Sequence, residues 1–582
     1  MPFGLVLGLC FFTFKIIGFD FSYFPGDLGD GRLNLYFLEH AHKFFTGKIS
    51  SFWEAPFMYP EHNVTAYSDN LLGSAPIYAF FRAIGVNTYL AYQLWFIVVS
   101  SLNYVCAFVL LKFLFKNNYA AVLGALIFAF SIALQSQYTH AQTFPRYAIP
   151  LAILMAVKFS YELKPKYFLY TVLLLVYQIY CGIYLGFFLV IPLSIYLIIA
   201  FLKFIFSSEK KIVNLNWCLK ILASLVINVL ILLPLMLPYM ERKIDPGFDH
   251  FIRISETIPT LTSYLFSYEG SIIWGFLSEI GQHKNAWWDH QLFPGAIAII
   301  SLAICIGWLI IKLIKAKFRL SSISNPWLLT LAGAITLFLF LRFDDITAYV
   351  LLYYLPGFSA LRSLTRVINI ELIFFAIATA LLFSKLFQQK QKYSFLIFLL
   401  GTTLIIIDNY SDKSYRTEVS TALKRTNEVD DTFATIPKGS LVSYEPTTMT
   451  SSSIYYQIDA MLLSQKYNLV TLNGYTATCP GDYGPYWNKP NPETRNHWLT
   501  GKELLKDTLF YINGKGLVEK IETKRLGDSF LKRKDKNLLD WINYIKTDEE
   551  WIQKVKNKAN KKSISLDSML ILDAAWMIEN QN

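Results

Sequence analysis

A chain of 582 residues that is 54% hydrophobic, 16% aromatic and 16% charged, with a mean hydropathy of +0.37, is too apolar for a soluble protein of this length and reads as a polytopic membrane protein. Its formal net charge of +11 comes mostly from lysines and arginines between apolar runs, which argues against a nucleic-acid partner and for membrane topology signals. The six cysteines form no CxxC pair and all but Cys479 lie in or beside apolar runs, so neither a zinc site nor a disulfide framework is supported.

The first apolar run, residues 3–21, lacks a basic n-region and a small-residue cleavage site, and is expected to remain as an uncleaved helix with Lys15 either snorkelling to the surface or facing the bundle interior. The stretch FPGDLGDGRLN (24–34) follows it. It places Asp27 and Asp30 close to the membrane among Gly26, Gly29 and Gly31, which leave the backbone free to bend around a ligand. Asp30 is also positioned to N-cap a helix over 32–46, and capping and catalysis are compatible. Leu33, Tyr36, Phe37, Ala41 and Phe44 recur at helical spacing and predict a surface helix with Asn34, Glu39 and Lys43 towards water. A second amphipathic pattern covers 71–85. Between them the Pro-aromatic stretch 51–70 predicts an ordered binding loop, and its Asp69-Asn70 pair stands where it can either cap the second helix or contact a substrate.

Further apolar runs at 89–115, 119–136, 147–160, 167–181, 184–206, 218–240, 292–314, 326–343, 367–387 and 393–407 bring the expected spans to about eleven. Residues 167–206 are too long for one helix, and Cys181-Gly182 is the expected break. With a cytoplasmic N-terminus, the basic loops fall inside: Lys112 and Lys116, Lys164 and Lys166, Lys203, Lys210 and Lys211, Lys312 to Arg319, and Lys385 to Lys392. Residues 22–88, 135–146, 241–291, 344–366 and the tail then face outward.

The loop 135–146 carries His140 and Arg146, expected at the outer interface. The stretch 344–369 carries Arg362 and Arg366, one turn apart on a predicted helix and so on one face. Outward-facing arginines run against the positive-inside bias and match a phosphate or diphosphate; the alternatives are interfacial anchoring for Arg146 and binding of ordinary anionic head groups for Arg362 and Arg366. From Asp408 the composition turns polar, which predicts two domains: a transmembrane domain over 1–407, including the outer loop 22–88 with its surface helices, and a soluble α/β domain over 408–582. In the latter, 441–446, 467–475 and 568–578 are expected as strands and 454–466 as a helix.

The motif GDLGDGRLN after the first span, the roughly eleven spans with short middle ones, the C-terminal extracytoplasmic module, and the segments LPGFSALRSLTR and NGYTATCPGDYGPYW (473–487) together resemble the GT-C superfamily of integral-membrane glycosyltransferases, bacterial cell-envelope type. The resemblance implies an α-helical polytopic, GT-C-like fold in the bacterial inner (plasma) membrane. It implies transfer of a sugar, hexosyl or pentosyl, from a polyprenyl-phosphate-linked donor to a hydroxyl of an envelope glycan or glycolipid on the outer face. By the GD pattern, Asp30 or Asp27 would be the catalytic base. Arg362, Arg366 and Arg146 are the expected donor-phosphate ligands, and Asp69, Asn70, Glu39 and His140 the expected substrate contacts. The chain has no DxD of the metal-using branches, which leaves open whether a divalent cation, Mg or Mn, takes part. Two other classes compete: a transporter or flippase of a lipid-linked glycan, with charged sites near the bilayer midplane, and a membrane-anchored glycan-binding protein using Tyr483, Tyr486 and Trp487 as stacking platforms.

Overall fold

The computed structural model describes the chain except residues 206–213, 243–249, 283–285, 345, 501, 503, 514–517, 524–537, 563–564 and 581–582; Lys210 and Lys211 lie outside the described residues. The chain divides into two compact units. Residues 1–55, 63–425 and 476–478 form the first, and residues 56–62, 426–475 and 479–582 the second.

In the first unit every apolar run is a helix: Pro2–Ile17, Thr88–Phe115, Asn118–Phe130, Ala148–Glu162, Pro165–Cys181, Ile183–Ile205, Leu215–Glu241, Ala296–Lys315, Asn325–Leu339, Ile368–Gln389 and Ser394–Asn409. With their short 3-10 extensions, seven are long and apolar enough to cross a membrane. Their burial is uneven. The most apolar window of Leu364–Gln389 is 89% buried, against 17% for Leu215–Glu241, which exposes Leu219, Leu222, Val226, Val229, Leu230 and Leu233. A helix apolar on its free faces is stable in hydrocarbon, where its backbone is satisfied internally.

Helix ends follow local chemistry. Asn87, Asn117 and Asn214 each accept the N–H of the residue three positions on, at 2.9, 3.0 and 2.9 Å, and so cap three spans. Asp408, read from composition as the start of the polar tail, is buried in the last turn of Ser394–Asn409. It accepts the N–H groups of Ala296 and Ile297, each at 3.0 Å, and the Trp274 indole at 2.8 Å, thereby capping a helix distant in sequence. Lys15 reaches the Ser411 carbonyl and lies over the Tyr410 ring at 4.0 Å.

Two short helices, Asp30–Phe45 and Ala75–Ala83, occupy the first loop. The expected water-facing stripe is corrected: Asn34 is buried, as are His40 and His42, and Asn34 Nδ2 donates to the Asp30 carbonyl at 2.7 Å. Glu39 takes Arg82 Nε at 2.7 Å and the Tyr78 hydroxyl at 2.8 Å, so the two helices are joined by a charged clasp. Strand Tyr23–Pro25 pairs antiparallel with Arg416–Glu418.

The second unit holds a four-stranded sheet in the order Val470–Thr471, Leu441–Tyr444, Thr508–Ile512, Val518–Glu522, parallel except for the last pair. Val442, Tyr444, Phe433, Ala460, Leu463 and Ile512 form its core, and Ser453–Tyr467 is the expected helix. The stretch 467–475 is strand only at Val470–Thr471. Beyond it the Asn473 side chain accepts the Tyr444 N–H at 2.7 Å and donates to the Tyr444 carbonyl at 2.9 Å, replacing ladder bonds. Residues 56–62 join this unit: Thr471 N–H donates to the Pro56 carbonyl at 2.9 Å, and Tyr59 N–H to the Thr471 carbonyl at 3.1 Å. The expected strand over 568–578 is instead the helix Leu566–Asn580. Met569, Leu570 and Ala574 face one small core, whereas a pleated strand would put the adjacent Met569 and Leu570 on opposite faces.

Candidate functional site

A cavity of about 390 Å³ opens in the first unit. Its walls are largely aromatic and aliphatic, with Tyr67, Tyr184, Phe187, Met236, Tyr239 and Leu361 among them, and it receives one carboxylate, Asp69, and two guanidinium groups, Arg242 and Arg362. These come from three separate segments, the first loop, the end of Leu215–Glu241 and the loop before Leu364, and the start of helix Ile183–Ile205 adds a fourth wall.

Asp69 is not a helix cap; the helix Ala75–Ala83 starts after Ser74. Its Oδ1 accepts the N–H of Ile183 at 2.9 Å and of Asn70 at 3.0 Å, whereas its buried Oδ2 has no hydrogen-bond partner among the described residues. Burial is the main cause that raises the Asp69 pKa to about 6, against the opposing Ile183 and Asn70 N–H groups and the Arg366 charge. The donor from Ile183 is available because it is the first residue after the break at Gly182, where a helix leaves its N–H groups unpaired. Gly182 is required by space: a Cβ there would stand 2.6 Å from the Gln142 carbonyl and 3.7 Å from Asp69 Oδ2.

Arg362 and Arg366 do not share a helical face. Arg362 lies in a connector after the turn Phe358–Ala360, and Arg366 in the 3-10 turn Leu364–Val367. Tyr184 relates them: Arg362 N–H donates to its hydroxyl at 3.1 Å, and the Arg366 guanidinium lies 5.1 Å above its ring. The Arg362 guanidinium also donates to the Ala477 carbonyl. Arg242 donates to the Ala66 carbonyl at 2.7 Å and lies over the Tyr239 ring at 5.3 Å. Burial lowers its pKa, the nearby Tyr239 and Tyr184 oppose that, and the Arg362 charge adds to it. Two guanidinium groups that repel across an apolar space favour an anion between them.

Asp27, Asp30 and His140 form a second cluster outside the cavity walls. Asp27 Oδ1 accepts the N–H of Gly29 at 3.1 Å and of Gly31 at 3.2 Å. Asp27 is exposed, yet desolvation by the surrounding protein, the largest cause, and the Asp30 charge raise its pKa, opposed by those N–H groups and by His140. Asp30 is the first residue of its helix and Gly29 the cap. His140 Nδ1 stands 3.1 Å from Asp30 Oδ2, close enough for an ion pair but not aligned for a hydrogen bond. Gly26 (φ +95°) brings the motif against this loop, since a Cβ there would meet Gly31 Cα and the Tyr138 carbonyl at 3.1 Å. The loop 138–142 thus links the clusters, His140 facing Asp30 and the Gln142 carbonyl packing on Gly182 beside Asp69.

Other expected ligands lie elsewhere. Arg146 is 2% exposed and absent from the cavity walls. Glu39 is held by Arg82 and Tyr78. Asn70 is buried and its Oδ1 accepts the Leu72 N–H at 2.9 Å. Tyr483 and Tyr486 are fully buried, which corrects their reading as stacking platforms. Among the described residues no three His, Cys, Asp or Glu side chains converge to hold a metal. Tyr184 and Arg242 escaped the sequence reading. Both carry a signal in retrospect: an aromatic just past a helix break, and an arginine at the far end of a span from the lysine-rich ends.

Fold and site together define a multi-pass helical membrane protein with an apolar cavity bearing one carboxylate and two guanidinium groups. No protein-family model and no curated protein matches the chain. Among solved structures, ArnT from Cupriavidus metallidurans in the apo state is similar over 88% of this chain and 92% of that one, at 9% identity and a TM-score of 0.35. The same protein bound to undecaprenyl phosphate covers the same shares at 11% identity and a TM-score of 0.38. Likeness at this level establishes neither family nor activity.

Proposed function

We propose that the chain is a glycosyltransferase of the bacterial inner membrane that moves a sugar from a polyprenyl-phosphate-linked donor to an envelope acceptor hydroxyl on the outer face. One observation carries the reading: Asp69 presents an unpartnered carboxylate oxygen in the same apolar cavity that receives Arg362 and Arg242. The apolar walls suit the start of an isoprenoid chain, and the two cations suit its phosphate.

In this reading an outer-loop aspartate, Asp69, takes the proton of the acceptor hydroxyl as its oxygen bonds to the anomeric carbon. The bond from that carbon to the phosphate oxygen breaks, and the electron pair leaves with the lipid phosphate, whose charge Arg362 and Arg242 stabilise. A phosphate leaving group needs no strong acid. Arg366, stacked on Tyr184, adds positive potential behind the site. A second assignment of the base is favoured by the close Asp30–His140 pair, a carboxylate next to an imidazole that can pass a proton on, with Asp27 beside it.

Mass analysis of envelope glycans from cells carrying the wild-type chain, no chain, Asp69→Asn or Asp30→Asn tests the proposal. Loss of one sugar mass without the chain and with Asp69→Asn is the expected result. Retention with Asp69→Asn but loss with Asp30→Asn transfers the base to the Asp30–His140 pair. Identical glycans with and without the chain remove the transferase reading.

A further inference from the structure

We propose that Arg146 holds a small inorganic anion of halide size inside the first unit, at a site separate from the cavity. The backbone around Arg146 is clamped on both sides. Its own N–H donates to Asn103 Oδ1 at 3.0 Å, Asn103 Nδ2 donates to the Phe144 carbonyl at 2.8 Å, and Gln178 Nε2 donates to the Pro145 carbonyl at 2.7 Å. The two helices that supply these amides, Thr88–Phe115 and Pro165–Cys181, fix where the side chain starts, and it runs inward to 2% exposure.

There the guanidinium lies 4.9 Å from the centre of the Phe128 ring, and Nε and Nη1 are buried without a hydrogen-bond partner among the described residues. Among the described residues Arg146 makes no ion pair; the ionisable group that faces it is the Tyr138 phenol. A guanidinium keeps its proton in proteins, and an isolated buried charge is among the costliest arrangements a fold can hold. A ring face offsets only part of that cost. Two buried N–H-bearing nitrogens with no carboxylate are the donor set for an anion, and so little exposed surface admits a halide more readily than a phosphoester attached to a lipid.

The test uses the full-length protein in detergent. Its thermal midpoint is measured in sodium chloride and in sodium gluconate at equal ionic strength, for the wild type and for Arg146→Met. Chloride should raise the wild-type midpoint by several degrees, saturably, as expected for a ligand bound by the folded state alone, and should leave Arg146→Met unmoved. Crystals grown in bromide should show an anomalous peak in contact with the guanidinium, which decides the matter even where the variant fails to fold. Equal midpoints in both salts, equal chloride responses in wild type and variant, ordered water alone at Arg146, or displacement of the bromide by a short polyprenyl phosphate would each overturn the proposal. None of these results depends on sugar transfer.

Discussion

Ile183 donates its backbone N–H to Asp69 Oδ1 at 2.9 Å, so a carboxylate in the first loop is held on the N-terminal residue of the helix Ile183–Ile205. The helix start stabilises negative charge there, but burial outweighs it and lifts the pKa from its usual 3.8 to about 6. Between these values the folded chain binds the proton more tightly than the unfolded one, so stability falls as pH rises through that window and stays lower above it. The shift corresponds to roughly 3 kcal/mol. Asp69→Asn should abolish this component: thermal midpoints from pH 4 to 7 should fall less steeply in the variant. Transfer by the wild type should rise through about pH 6 as the base ionises.

Tyr184 touches both arginines by different means, the hydroxyl on Arg362 and the ring under Arg366. Tyr184→Phe keeps the ring and should raise the apparent KM for the lipid donor about threefold, whereas Tyr184→Leu removes the ring as well and should raise it about tenfold, from a cation–π loss on the order of 1 kcal/mol. Steady-state kinetics with varied donor check this; an equal change for the two variants would show that the ring is not what positions Arg366.

Glu39 and Arg82 are partly buried and joined at 2.7 Å, with Tyr78 on the same carboxylate. Arg82→Met should lower stability by about 1–3 kcal/mol, the range for leaving a hydrogen-bonded charge without its partner. Specific activity of the folded fraction should be unchanged, because the clasp joins two helices and does not line the cavity. Thermal unfolding followed by activity of the surviving protein separates this role from substrate binding by Glu39.

In the second unit Arg495 Nη1 contacts Glu445 at 3.0 and 3.1 Å with both side chains buried, and Ser443 and Tyr486 share the carboxylate. Burial pushes the Glu445 pKa up, and the Arg495 charge is the chief force opposing it. Removing one partner, as in Arg495→Met, should destabilise this unit by about 3–5 kcal/mol, while the double variant with Glu445→Leu should recover much of the loss. A double-mutant cycle on unfolding midpoints measures the coupling.

Elements whose signal is local were legible in the residues. Each of the apolar runs became a helix, and the break at Gly182 appeared where Cys181-Gly182 interrupts a run too long for one span. Short polar segments misled where a partner distant in sequence overrode local pattern. Asn34 and Glu39 look water-facing on a helical wheel, yet Asp30–Phe45 is covered on that side as well. SMLILDAAWMI is apolar enough for a strand, and only the packing of Met569, Leu570 and Ala574 in one core makes it helical.

Hydrophobic length and periodicity are properties of consecutive residues, and so the chain of letters alone was enough to establish a many-helix membrane protein with a polar tail. Which of its acids and cations meet is another matter. Asp69, Tyr184, Arg242 and Arg362 are brought to one cavity by contacts between segments more than a hundred residues apart, Arg146 is held away from it by Asn103 and Gln178 on two other helices, and no spacing rule within a segment encodes those contacts.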